Sequence, residues 1–387
     1  MDTLKIRSLG PIEQADIQFG DLTFFVGPQA SGKSIVLQLV KLLIDRDQIE
    51  QTLQNYGFVW DDDLDNNMER FFGEGMAKLW LNGTDVIFNE IDFKKEFLKP
   101  GRKNHERLPS AEKIFYIPAQ RVLCLNNGWP RFFNDFDDSA PYVLRDFSES
   151  LRLSLESGSL EASAPLFAED DNHMVKRVED FAKGIFLGGR VTVDRLKRKR
   201  LMLEIENMRL PFTNWSTGQK ESFPLFAGLY MMSPLFANKM SDTDYIIVEE
   251  PEMGLHPEAI KSVILQIFGL MQRGYKIIVS THSPVLLEFA WAFNILKHEK
   301  ALPENFDALF DLNEKSNAGT FFTTDTIGKI INTYYFEREK PHERVVVKNI
   351  SSLDAGSSDS AVAEWGGLSS FASKAGDIVS TIVANNA

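Results

Sequence analysis

The pattern of apolar and polar positions at the start of the chain predicts strands that lead into a buried helix. Residues 4–7 and 15–19 alternate apolar and polar positions around a Gly-Pro turn, which is typical of half-buried strands. Residues 22–26 are almost continuously apolar and aromatic, which indicates a buried strand. Residues 35–44 are apolar densely enough to predict a mostly buried helix.

Further along, the pattern predicts a hairpin and then a helical segment. The Asn82-Gly83 dipeptide lies between apolar residues 76–81 and 86–91, and this arrangement predicts a β-hairpin. Between residues 125 and 188 the spacing of apolar positions becomes helical, above all over 142–155 and 173–186. We interpret this part as a helical insertion. It has no long heptad run, so we do not expect a coiled-coil arm.

Two buried strands in the second half of the chain end in polar side chains. Residues 245–248 are followed by Glu249 and Glu250, and residues 277–280 are followed shortly by His282. Carboxyl ends of parallel strands meet at one edge of a sheet, where α/β proteins bind their ligands. We therefore expect two carboxylates and a histidine to converge there.

Composition and charge narrow the class of protein. The chain has 387 residues, of which 43% are apolar and 25% charged, as expected for a globular protein. Cys124 is its only cysteine, so an intrachain disulfide cannot form and a reducing compartment is favoured. We find no secretory signal and no apolar run long enough to span a bilayer. We expect a cytoplasmic protein without a membrane segment.

A basic segment, residues 195–200, separates two short predicted strands. Such a segment can contact nucleic-acid phosphates, so DNA or RNA is a candidate partner. The net charge of −13, however, argues against a general affinity for nucleic acid. A solvated hairpin end is the favoured interpretation.

Residues 27–34 match the P-loop pattern Gly-x-x-x-x-Gly-Lys-Ser, in which backbone N–H groups surround phosphates. The two glycines allow the backbone angles and the close approach that this loop needs. In such a loop the lysine attracts the β- and γ-phosphates and the serine hydroxyl binds Mg²⁺. The predicted nucleotide-binding residues are Gly27, Pro28, Gln29, Ala30, Ser31, Gly32, Lys33 and Ser34.

The motifs together resemble a known family. A P-loop, Ser-x-Gly-Gln from Ser216, Glu-Glu-Pro-Glu from Glu249 and Ser-Thr-His-Ser-Pro around His282 follow one another in the order of ABC-type ATPase heads. Within these heads the chain looks most like the SMC/RecF/OLD group of soluble ATPases. The resemblance covers residues 1–44, 112–122 and 200–290. It implies an α/β P-loop NTPase fold, with the helical segment as an insertion.

The resemblance also implies roles for individual residues. Glu249 takes the metal-associated acidic position, Glu250 that of the catalytic base, and His282 that of the switch histidine. The implied signature, which contacts the nucleotide of the opposite protomer, consists of Ser216, Gly218 and Gln219. Gln120 or Arg121 fills the Q-loop position, with Gln120 as an expected metal-associated residue. The implied cofactors are ATP and Mg²⁺.

Several positions depart from the usual pattern of the family. Gln29 and Ala30 replace Asn and Gly in the P-loop, where the backbone does the binding. Trp215 and Thr217 replace Leu and Gly beside the signature. Glu249 stands where Asp is commoner, and its extra methylene predicts slow turnover.

We expect four parts of the chain. Residues 1–124 form the first part of the ATPase head, 125–189 the insertion, 190–300 the second part of the head, and 301–387 an extension with a flexible tail. In that tail, the composition of residues 351–360 predicts a flexible linker. OLD proteins carry a C-terminal nuclease domain with a D-x-D motif, and no such motif follows His282 here. We therefore expect a separate effector.

The sequence favours a dimeric or higher ATPase assembly that switches conformation for a separate nuclease or toxin, in antiphage defence or DNA transactions. One alternative is an assembly locked by ATP with negligible hydrolysis, which Glu249 keeps open. Another is the nucleotide-binding subunit of a transporter. The wide separation of P-loop and signature argues against this second alternative.

Overall fold

The computed structural model describes residues 1–97, 111–157, 184–195, 198–232, 242–312, 320–338, 340 and 343–386. Its strands are β1 (Thr3–Leu9), β2 (Ile12–Gln18), β3 (Leu22–Val26), β4 (Trp80–Phe88), β5 (Ile91–Asp92), β6 (Ile114–Ile117), β7 (Leu125–Asn126), β8 (Trp129–Pro130), β9 (Arg190–Asp194), β10 (Arg200–Ile205), β11 (Met208–Pro211), β12 (Tyr245–Glu249), β13 (Lys276–Thr281), β14 (Ile331–Glu337) and β15 (Val345–Asn349).

The helices of the described residues lie mostly between these strands. They are α1 (Lys33–Asn55), α2 (Leu64–Phe72), α3 (Phe93–Phe97), α4 (Tyr142–Glu156), α5 (Thr217–Met231), α6 (Pro257–Gln272), α7 (Pro284–His298), α8 (Pro303–Ala308), α9 (Thr324–Gly328), α10 (Ser360–Ala363) and α11 (Ser370–Asn386). None of them combines the length and the hydropathy needed to cross a bilayer.

A ten-stranded mixed sheet organises the molecule, in the order β5-β4-β1-β2-β15-β14-β3-β13-β12-β6. The five strands from β14 to β6 run parallel, with β3 between β14 and β13. The carboxyl ends of β3, β13, β12 and β6 therefore lie along one edge. The predicted α/β fold with a parallel sheet is confirmed.

Helices cover both faces of this sheet. On β3, Phe24 packs into a core with α4, α5, α6 and α7, whereas Phe25 packs into a second core with α1 and α2. Ile246 and Ile247 of β12 divide between the two cores in the same way. Parallel strands buried on both faces read as continuous apolar runs, which is why these strands were predictable.

A buried ion cluster attaches the P-loop helix to β6. Lys41 of α1 is fully buried, and its Nζ donates to Asp45 Oδ2 at 2.9 Å, Glu112 Oε2 at 2.7 Å and the carbonyl oxygen of Ile114 at 2.7 Å. Asp45 has non-helical backbone angles inside α1, and its carboxylate accepts from the backbone N–H groups of Lys113 and Ile114. These bonds set the position of α1 against the sheet.

The hairpin predicted at Asn82-Gly83 is wrong. Both residues lie inside the single strand β4, which pairs with β1. Leu9 pairs with Trp80 but Arg7 pairs with Asp85, so the additional residues of β4 form a bulge there. Gly83 does adopt a positive φ of 91°, as a turn residue would, but the chain returns to the same strand.

The C-terminal part is more ordered than its composition indicates. The sequence did not predict β14 and β15, yet β14 lies directly beside the P-loop strand. Residues 351–360 form hydrogen-bonded turns, and Leu353 among them is fully buried. The predicted second helix of the insertion, 173–186, falls largely outside the described residues.

Replacing Lys41 by Ala should destabilise the fold strongly. Asp45 and Glu112 would lose their cation, and breaking a buried ion pair costs about 3–5 kcal/mol. Chemical denaturation measures this loss. The matched control is Lys95→Ala, which removes a solvent-exposed ion pair with Asp92 and should leave the stability nearly unchanged. Equal effects of the two variants would contradict the importance of the cluster.

Candidate functional site

The predicted site residues follow the strands whose carboxyl ends share one edge of the sheet. The P-loop follows β3, Glu249 ends β12, His282 follows β13, and Gln120 comes shortly after β6. The apolar pattern of each strand was enough to predict where that strand ends. Their adjacency comes from the order β3-β13-β12-β6.

The P-loop encloses its own lysine. Lys33 Nζ donates to the carbonyl oxygens of Gly27 at 2.8 Å and Pro28 at 2.9 Å, and the residue is only 6% exposed. Burial lowers the pKa of Lys33 to about 8. Three carboxylates act in the opposite direction: Glu250, Glu252 and Glu249. The lysine is thus a desolvated cation facing several anions.

The small size of Gly27 serves the sheet as well as the loop. A Cβ atom on Gly27 would lie 2.8 Å from the carbonyl oxygen of Phe336 in β14, closer than real contacts allow. Its φ of 147° also disfavours other residues. Any larger residue would push β14 away from the P-loop.

Glu249 is the most deeply buried of the site carboxylates. Its Oε2 accepts from the backbone N–H of Ala119 at 3.0 Å, whereas Oε1 is buried and has no hydrogen-bond partner among the described residues. Burial raises the pKa of Glu249, and the nearby hydroxyls of Ser34 and Tyr116 oppose this increase.

The donor set fits Mg²⁺. The Glu249 carboxylate and the Ser34 hydroxyl, which lie close enough for Ser34 to lower the pKa of Glu249, offer the oxygen ligands that this ion prefers. Within the described parts of the chain, no group of three His, Cys, Asp or Glu side chains could hold a metal alone. Mg²⁺ typically binds through one or two protein groups plus phosphates and water, so this absence is expected for Mg²⁺.

Glu250 combines a strained backbone with an accessible carboxylate. Its φ is 42°, which is unfavourable for a non-glycine residue, and its N–H donates to the carbonyl oxygen of Ser280 at 2.9 Å. Its Oε1 lies 3.6 Å from His282 Nε2. Contact with His282 lowers the pKa of Glu250, so the carboxylate is ionised.

Glu252 connects the loop after β12 to Thr281 and His282. Its Oε1 accepts from Thr281 Oγ1 at 2.8 Å and from the backbone N–H of His282 at 2.6 Å. Its Oε2 is buried without a partner among the described residues, and burial raises its pKa. The sequence analysis assigned Glu252 no role. Its place as the third glutamate of Glu-Glu-Pro-Glu was the only available signal.

The two Q-loop candidates have different surroundings. Arg121 is fully buried and donates to backbone carbonyls. Gln120 is exposed, and Ala119 beside it binds Glu249. The role of Gln120 stays a prediction.

Ser216 caps α5 through a capping box. Its Oγ accepts from the N–H of Gln219 at 3.2 Å, and Gln219 Oε1 accepts from the N–H of Ser216 at 3.0 Å. Trp215, which replaces the usual Leu, is buried among Phe186, Phe212 and Phe223. Its ring contacts hold the start of α5 in place.

The signature borders a cavity of about 450 Å³ at the surface. A Cβ on Gly218 would lie 2.7 Å from the carbonyl oxygen of Gly254, so α5 touches the loop after β12 there. Ser216 is exposed and lines this cavity together with His256 and Glu258. The contact of this surface with another protomer's nucleotide stays a prediction.

Arg338 is a further residue beside the P-loop that the sequence analysis missed. It follows β14, and its Nη2 donates to the carbonyl oxygen of Ala30 at 2.8 Å. The two partners are 308 residues apart in the sequence, and no motif marks the arginine. Only the pairing of β14 with β3 brings it there.

Two residues of the basic segment form ion pairs within the chain. Arg200 binds Asp194 at 3.2 Å, and Lys199 binds Glu156 at 2.9 Å. Residues 196 and 197 lie outside the described residues. These pairs favour the interpretation as a hairpin end between β9 and β10.

Residues 22–288 match the family model described as "AAA domain, putative AbiEii toxin, Type IV TA system". The chain belongs to this family. The match covers the P-loop, the signature, the two glutamates and the histidine. It confirms the predicted ATPase-type head.

The individual similar proteins support fewer conclusions than the family match does. A stretch of 60 residues is 42% identical to the Old nuclease of Escherichia phage P2, covering 16% of this chain and 10% of that protein. The SMC head domain from Thermotoga maritima is 10% identical with a TM-score of 0.37, covering 90% of this chain and 97% of that one. A dimeric bacterial ABC transporter cassette is 12% identical with a TM-score of 0.33, covering 72% and 88%. At these TM-scores neither structural likeness supports a conclusion about this chain.

Replacing Lys33 by Ala should weaken ATP binding by about 10- to 100-fold, because a charged hydrogen-bond donor to phosphate is lost. Isothermal titration calorimetry measures the affinity. Lys297→Ala is the matched control, since Lys297 also donates to two backbone carbonyls but lies outside the P-loop. Unchanged affinity in Lys33→Ala would contradict the P-loop assignment.

Proposed function

We propose that this protein binds ATP with Mg²⁺ at the P-loop and hydrolyses it with Glu250 as the general base. The convergence of Lys33, Glu249, Glu250 and His282 at one edge of the sheet carries this proposal. Membership of an AAA-domain family supports it.

The electrostatics of the site explain why a cation would accompany the nucleotide. Three carboxylates surround Lys33, and a triphosphate would add further negative charge. Ser34 and Glu249 would hold Mg²⁺, which when bound offsets charge on the phosphate oxygens. Lys33 would exchange the carbonyls of Gly27 and Pro28 for phosphate oxygens.

Glu250 would orient the attacking water and accept its proton. Its lowered pKa keeps the carboxylate ionised but makes it a weak base. The neighbouring His282 would contact the γ-phosphate as hydrolysis proceeds. A weak base and the long side chain of Glu249 both favour slow turnover.

We place the second half of each site on another protomer. The exposed N-terminus of α5, capped by Ser216, presents free N–H groups that suit an anion. Two chains related by a twofold axis would form two composite sites, each with one P-loop and one partner signature. Phosphate release would open the pair.

The work done by this cycle is a conformational switch for a separate effector, a nuclease or toxin, in antiphage defence or DNA transactions. The stretch shared with the Old nuclease supports this setting, although it spans a tenth of that protein. A second candidate is an assembly locked by ATP. Burial raises the pKa of Glu249, and a carboxyl group that is harder to ionise binds a metal less well. Weak metal binding would slow hydrolysis and so favour this second candidate.

Replacing Glu250 by Gln should lower hydrolysis about 10²- to 10⁴-fold while ATP stays bound, since the amide cannot accept the proton. The trapped dimer should be more stable than that of the wild type. Phosphate release and analytical ultracentrifugation measure both effects. A wild-type rate would show that the base is elsewhere.

Mixing Lys33→Ala chains with Ser216→Arg chains tests the shared site. One composite site of each mixed dimer would carry both defects and the other neither. With random pairing at equal amounts, about half the dimers are mixed and about a quarter of wild-type activity returns. Nucleotide counting should find one ATP per mixed dimer.

The matched control mixes Lys33→Ala with Glu250→Gln chains. Both residues serve the P-loop side of a site, so each composite site of a mixed dimer keeps a defect and no activity returns. Rescue in this control, or background activity and no retained ATP in the first mixture despite mixed dimers, would refute the shared site.

A further inference from the structure

Arg121 is a fully buried arginine whose guanidinium group joins separate pieces of the site. Its Nε donates to the carbonyl oxygen of Glu221 at 3.1 Å, and its Nη2 to that of Glu250 at 3.2 Å. Its Nη1 donates to the carbonyl oxygens of Glu249 at 3.0 Å and Pro118 at 3.4 Å.

These acceptors belong to three elements that the sequence separates widely. Glu221 lies in α5, the proposed signature helix, whereas Glu249 ends β12 and Glu250 follows it. Pro118 follows β6. The guanidinium group is planar and its donors have fixed directions, so it holds the three elements in one geometry. A buried cation with this many backbone acceptors positions its surroundings more than a surface pair could.

A second contact joins the same two elements. Gly218 of α5 and Gly254 of the loop after β12 touch closely enough that a Cβ on Gly218 would lie 2.7 Å from the carbonyl oxygen of Gly254. In the same loop, Glu252 holds the backbone N–H of His282. Signature helix, strained base and switch histidine therefore form one continuous set of contacts.

We infer that Arg121 is a positioning residue that sets the backbone of Glu250 and couples its loop to the signature helix. The inference rests on the proposed function of Glu250. A second protomer that docks on Ser216 would move α5, and Arg121 would pass this movement to Glu250. Hydrolysis would then be efficient only in the closed pair.

Arg121→Lys tests the inference because lysine keeps the charge and loses the forked geometry. We expect kcat to fall about 10²-fold, the effect of a small displacement of a catalytic group, with ATP affinity within about threefold of wild type. Arg145→Lys is the control: Arg145 is also buried and donates to two backbone carbonyls, those of Ala140 and Asp137. It should leave kcat unchanged.

A double-variant cycle separates positioning from general damage. If Arg121 acts through Glu250, adding Arg121→Lys to Glu250→Gln should lower kcat little further, because residues that act as a unit are not additive. The inference would be overturned if the reduction of kcat in the double variant equalled the product of the two single reductions. A wild-type kcat in Arg121→Lys would overturn it as well. If Arg121→Lys does not fold, Gly254→Ala strains the second contact, and unchanged kcat there would overturn it as well.

Hydrogen exchange tests the coupling without relying on hydrolysis. In Ser216→Arg chains, diluted until sedimentation shows only monomers, ATP should slow amide exchange in residues 217–231. The same chains with Arg121→Lys should bind ATP but show no such change. Equal slowing in both would overturn the inference. Hydrolysis absent from the wild type, with this difference in exchange present, would overturn only the proposed function.

Discussion

Charge balance at the carboxyl edge of the parallel strands is the constraint on which the rest of this structure depends. Four carboxylates and two cations share this desolvated edge: Glu221, Glu249, Glu250, Glu252, Lys33 and Arg121. The anions outnumber the cations. Burial raises the pKa values of Glu249 and Glu252, whereas contact with His282 lowers that of Glu250. A divalent cation would restore the balance.

The contacts at this edge also connect the parallel strands to α5. Arg121 binds carbonyls of the signature helix and of the residues that end β12, and Glu252 binds the residues after β13. The close contact of Gly218 with Gly254 leaves no space between α5 and the loop after β12. A displacement of α5 would therefore displace this loop as well. Such a packed connection suits a switch that responds to a second protomer.

Much of the fold and site could be predicted because their signals are local. The P-loop, the capping box of Ser216 and the apolar strands ending at Glu249 and Thr281 are each readable from a few neighbouring residues. Features set by distant partners could not be predicted. The bulge in β4 depends on pairing with β1, and Arg338 reaches Ala30 only because β14 pairs with β3. The buried role of Arg121 likewise depends on a carbonyl in α5.

The most direct test of the account is a crystal structure with ATP and Mn²⁺, which substitutes for Mg²⁺ and gives an anomalous signal. We predict one manganese peak beside Ser34 and Glu249, with Lys33 Nζ moved from the loop carbonyls to the phosphates. A nucleotide bound elsewhere, or a manganese peak away from Ser34 and Glu249, would contradict it.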